Sequence, residues 1–112
     1  MARVKIVISL AREIEKKFKG ESRNIVRLLR TLEENPHKGK TVGNVGRVII
    51  KEIRFKSFRF YFVVDGNKLK VFSEEELKDL LIKFVRMSDK KSQQKVINDI
   101  RDILIKLGED GL

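Results

Sequence analysis

Cysteine and tryptophan are absent from this chain, and histidine, tyrosine and proline occur once each, as His37, Tyr61 and Pro36. Without cysteine there is no thiolate nucleophile and no Cys-ligated metal, and nothing argues for an oxidising compartment, so a cytoplasmic location is the default. A single histidine without spaced carboxylates offers no metal-binding constellation. Long apolar runs are missing too. Lys or Arg recurs every few positions, and no window approaches the roughly 18 uninterrupted apolar residues of a spanning helix. Met1 to Leu10 carries Arg3 and Lys5 and a short apolar run with no small-residue cleavage pattern, so no secretory signal is expected.

The 112 residues are 41% hydrophobic and 38% charged, a globular composition that fits a single domain, 1–112, with a core of Ile, Leu, Val and Phe. The net charge of +10 is uneven: residues 1–72 hold 18 Lys/Arg against 7 Asp/Glu, and residues 73–112 hold 8 against 9. Such a field favours a polyanionic partner, nucleic acid or an acidic protein, over a lipid surface, since no basic amphipathic helix dominates. The plainer alternative is a solvated, heat-tolerant surface.

Arg3 to Ile8 reads as a strand. Ser9 offers an N-cap to a helix whose Leu10, Ile14 and Phe18 form one stripe ending at Gly20, and a second helix follows from Ser22 to Glu34. Asn35-Pro36 stops it, and Gly39, Gly43 and Gly46 mark an irregular, mobile connection. Arg47 to Phe55, Phe58 to Val64 and Lys68 to Phe72 read as a meander, with Asp65-Gly66 as its second turn. Ser73 to Glu76 is a capping box, Leu80 to Met87 a buried strand, and Ser88 to Leu107 a helix capped by Gly108 with Val96, Ile100, Ile103, Leu104 and Leu107 inward. The fold class is α+β: an antiparallel-dominated, twisted sheet of four to five strands, an N-terminal helical hairpin and a C-terminal helix.

Parity places chemistry on one face of the meander. Phe58, Phe60, Phe62 and Val64 share the core face, and Arg59, Tyr61, Val63 and Asp65 share the other. With Lys56-Ser57 as a two-residue turn, Arg54 opposes Arg59 and Glu52 opposes Tyr61; a one-residue slip would bury the arginines and expose the phenylalanines. Lys68, Lys70 and Phe72 then extend an open cationic face able to hold phosphates, with rings for stacking bases. The plain alternative is a polar sheet face on which Glu52 pairs with an arginine. Lys51 falls on the core side, where it snorkels at an edge or a bulge reorients it. His37 reads as a solvated turn residue.

This order of elements, with Asn35-Pro36, Lys51-Glu52-Ile53-Arg54, Phe58-Arg59-Phe60-Tyr61 and Ser88-Asp89-Lys90-Lys91-Ser92, resembles the RelE/ParE toxin superfamily, most of all its RelE and HigB branch. The resemblance implies a small basic toxin of a type II toxin-antitoxin system that cuts messenger RNA at the ribosome without metal or cofactor. It also implies an acidic cognate antitoxin, no membrane, and a monomer or weak homodimer when the toxin is free. Arg54 and Arg59 match family arginines and Lys90-Lys91 the family's basic pair, which gives Arg54, Arg59, Glu52 and Lys91 as catalytic candidates. Lys51, Lys56, Tyr61, Lys68, Lys70, Phe72, Arg86 and Lys90 are the expected RNA contacts. The C-terminal tyrosine or histidine of several active members has no equivalent. Two alternatives therefore stand: a catalytically inactive binder of nucleic acid or protein on the same scaffold, or a ParE-like gyrase inhibitor.

Overall fold

The computed structural model describes residues 2–70 and 77–112. Five strands form one mixed sheet in the order β1-β5-β4-β3-β2, with β1 parallel to β5 and the other neighbours antiparallel. β1 (Arg3–Ile6) buries Val4 and leaves Arg3 and Lys5 exposed, the period of two of a half-covered strand. It turns straight into α1 (Ile8–Phe18). Ser9 lies inside this helix rather than capping it. The cap is Val7, in extended geometry without a side-chain hydrogen bond, because its amide still donates to Phe84 O in the sheet (3.1 Å).

A 3-10 turn at Lys19–Glu21 leads into α2 (Ser22–Arg30), and a second 3-10 turn, Thr31–Glu33, replaces the expected last turn of that helix. Leu10 and Ile14 of α1, Ile25 and Leu29 of α2 and Leu32 are 0–1% exposed. Each such side chain contributes about 1.5–3 kcal/mol by leaving water. The hairpin covers the phenylalanine face of the sheet: the Phe18 ring meets Phe58 edge-on at 4.9 Å and tilts against Phe60 at 6.2 Å.

The glycine-rich segment expected as a mobile connection is an edge strand, β2 (Lys40–Val45), paired with β3 (Val48–Phe55) and irregular between Thr41 and Gly43. β3 and β4 (Phe58–Asp65) form a hairpin closed by Lys56-Ser57, with Lys56 at φ 55°. Its register carries the expected pairs, Arg54 with Arg59, Glu52 with Tyr61 and Ile53 with Phe60.

No hairpin follows Asp65. Its carboxylate Oδ1 accepts from the amides of Asn67 and Lys68, the Gly66 amide donates to Arg47 O (2.7 Å), and the chain enters the short helix α3 (Gly66–Leu69). The strand expected over Lys68 to Phe72 is therefore corrected at its start: Lys68 is helical and Lys70 follows the helix. Phe72 and the capping box at Ser73 to Glu76 lie outside the described residues. The neighbour of β4 is instead β5 (Leu81–Ser88), whose register shifts opposite Tyr61 and Phe62. α4 (Gln93–Leu107) starts later than expected, ends at Gly108 with φ 70°, and buries Ile97, Ile100 and Leu104, whereas Leu107 is exposed. It packs on β2 and β5, on the face opposite the hairpin, where Arg101 and Ile50 both lie against Gly43.

Candidate functional site

The β3–β4 register brings Glu52, Arg54, Arg59 and Tyr61 onto one patch at the turn end of the sheet, as the alternation requires. The face is not open, however. Tyr61 is 0%, Glu52 4% and Arg59 5% exposed, and Arg54 is the member of the four that reaches solvent. The sequence reading placed all four in solvent because it left the second face of the sheet uncovered.

Inside this patch the polar groups are only partly matched. Arg54 Nε lies 3.8 Å from Glu52 Oε1, and Arg59 Nη1 donates to Ser57 O at 2.9 Å. Glu52 Oε2 and Arg59 Nε are buried without a hydrogen-bond partner. Buried polar atoms without a partner are uncommon in a folded chain, and here an acceptor and a donor fall on neighbouring strands. The Tyr61 hydroxyl shares a 2.7 Å hydrogen bond with Ser88 Oγ. Burial pushes the phenol pKa above its ordinary 10.0, a rise that the Ser88 bond and the two arginines oppose and Glu52 reinforces.

Ser88 is the last residue of β5 and opens the loop carrying Lys90 and Lys91. That loop is held by Asp89, whose carboxylate accepts from the Ser92 amide and hydroxyl, both at 2.8 Å. The same bonds, the amide first, hold the Asp89 carboxyl below its ordinary pKa. Lys90 and Lys91 are exposed and precede the helix rather than starting it. At the hairpin tip, Lys56 pairs with Glu21 at 2.9 Å and lies over the Phe55 ring, and Lys17 lies over Phe58 at 4.9 Å.

The remaining expected contacts separate. Lys51 is buried on the core face; its Nζ donates to His37 O at 3.0 Å, and burial lowers its pKa from 10.5. It holds the turn around Pro36 and does not join the patch. His37 Nε2 stands 2.9 Å from Leu69 O, a structural contact. Lys68 and Lys70, carried off by α3, lie away from Arg54 and Arg59. Arg86 stays on the face, opposite Tyr61, half-buried, with Nη1 donating to Val85 O. Lys17 was missed by the sequence reading, and so was the bond of Ser88 to Tyr61, although Ser88 opens the motif Ser88-Asp89-Lys90-Lys91-Ser92.

Among the described residues no group of three or more His, Asp or Glu side chains is placed to hold a metal ion, and no helix is long and apolar enough to cross a membrane. Comparison with family models, with curated proteins and with solved structures returned no match to this chain.

Proposed function

We propose that this chain is a metal-independent endoribonuclease of the RelE type, the toxin of a toxin-antitoxin pair, acting on messenger RNA at the ribosome. The observation that carries the reading is that Glu52 Oε2 and Arg59 Nε are buried without hydrogen-bond partners next to the exposed Arg54.

A ribonucleotide supplies what the pair lacks. Its 2′-hydroxyl donates to Glu52 Oε2, which takes the proton as the 2′-oxygen attacks the adjacent phosphorus. The bond from phosphorus to the 5′-oxygen breaks, leaving a 2′,3′-cyclic phosphate and a 5′-hydroxyl. Arg59 and Arg54 donate to the phosphoryl oxygens as charge builds on them, and Lys91 stabilises the leaving oxygen and delivers its proton. Access to Glu52, 4% exposed, requires its surroundings to open; the Arg54 side chain, 3.8 Å away and 58% exposed, has the freedom to move. Tyr61 is held by Ser88 and positions the patch rather than exchanging protons.

A message held on ribosomes in a translation reaction with the purified protein tests this through its end groups. Cyclic phosphate ends formed by the native chain and lost in Glu52→Gln support the reading. RNA that is bound tightly yet left whole supports the second one, a non-catalytic RNA binder, which the burial of Tyr61 and the lack of another tyrosine favour. A ParE-like action would show as inhibited DNA supercoiling by gyrase.

A further inference from the structure

Resting on the RNA reading above, we infer that the RNA-binding surface extends along β5 and β1 into a second backbone-phosphate subsite at the far end of the sheet. There a cavity of about 270 Å³ receives cations from four separate elements: Arg3 of β1, Arg47 of the β2–β3 turn, Lys68 of α3 and Lys83 of β5. None of the four belongs to the Glu52 patch.

The track between the two ends depends on the irregularity in β5. Residues three apart in a regular strand point to opposite faces. The shift opposite Tyr61 and Phe62 adds one residue, so Arg86 faces with Tyr61 and Lys83 faces with Val63, on the same side. β1 pairs in parallel with Lys5 beside Lys83 and Arg3 beside Leu81, which doubles the basic row. From Ser88 back to Leu81 this row spans about 23 Å at about 3.3 Å per residue.

Three of the cavity's four cations are available; Arg47 is paired with Asp65. Arg3 and Lys68 have no side-chain partner among the described residues, and the Lys83 ammonium is held by a neutral carbonyl, Glu109 O at 3.0 Å. Asp65 is already engaged, by Arg47 at 3.3 Å and by the α3 amides. Asp79 and Glu109 also line the cavity; carboxylates there repel phosphate as they repel acidic side chains, but they can accept hydrogen bonds from ribose hydroxyls, which polyglutamate lacks.

The test is the combined variant Arg3→Gln, Lys5→Gln, Lys68→Gln, three exposed residues outside the Glu52 patch, titrated with a long single-stranded RNA, a dinucleotide and polyglutamate over a range of salt. With the long RNA, the slope of log affinity against log salt should fall by about 2, three lost contacts at about 0.7 each. Dinucleotide affinity should stay the same. An unchanged slope with long RNA overturns the track while leaving the ribonuclease reading standing, and an equal loss for polyglutamate overturns the selection of RNA. A native chain that binds no RNA at all removes both.

Discussion

A buried carboxylate oxygen and a buried guanidinium nitrogen without partners each cost the folded state about 1–3 kcal/mol or more, and Glu52 and Arg59 carry one of each on neighbouring strands. Nothing in the packing requires charged residues there, since Ile and Val fill equivalent positions elsewhere on the same face. Arg59→Ala should lower RNA cleavage by about 10²–10³, the usual effect of removing one donor to a developing oxyanion, with far-UV circular dichroism unchanged. Tyr61 offers a cleaner check because it is the only tyrosine. Its folded pKa is raised, so the neutral phenol is the form the fold prefers. The associated stability is complete below pH 10.0 and is lost as pH climbs through the higher folded value. Phenolate absorbance should therefore rise above pH 10.0 in the folded chain and shift back to the ordinary range in denaturant. Tyr61→Phe should remove that step and cost about 1 kcal/mol through the lost Ser88 bond.

At the scale of elements, the β3–β4 hairpin sets the patch and the preceding turn fixes β3 against the core. Gly39 sits at φ 104°, and a Cβ there would stand 2.9 Å from Glu52 O and 3.0 Å from the Phe62 ring. Gly39→Ala should destabilise by about 1–3 kcal/mol, read from the midpoint of urea unfolding. The hairpin register was legible in the sequence because strict alternation and a two-residue turn leave one pairing that buries Phe58, Phe60 and Phe62 together. β2 was hidden, since three glycines in eight residues erase the alternation that marks a strand. The helix at Gly66 was hidden for another reason: Asp65-Gly66 supports either a hairpin turn or a carboxylate cap, and the Arg47 carbonyl that captures the Gly66 amide is a tertiary partner. The amphipathic stripe of α4 was visible, but the sheet face it meets is set by the turn at Asp89–Ser92. The burial of Glu52, Arg59 and Tyr61 could not be read before that was known.

Across the whole molecule, two helical elements cover opposite faces of one sheet, with Phe60, Phe62 and Phe84 at 0% exposed in its centre. Phe60→Ala should cost about 3–5 kcal/mol, measured by thermal or urea unfolding, and would abolish function by unfolding rather than by chemistry. The excess of 18 basic against 7 acidic residues in the first 72 is spent on this architecture unevenly. Arg3, Lys5, Arg54 and Lys68 stay in solvent, whereas Lys51 and Arg59 are drawn inside. A field of this sign attracts polyanions, and we assign the unsatisfied pair at the turn end of the sheet to RNA. The most direct measurement is a translation reaction containing the folded protein, with message ends mapped by primer extension. The account predicts cuts at ribosome-positioned codons that disappear with Arg59→Ala; an intact message at every dose of folded protein would contradict it.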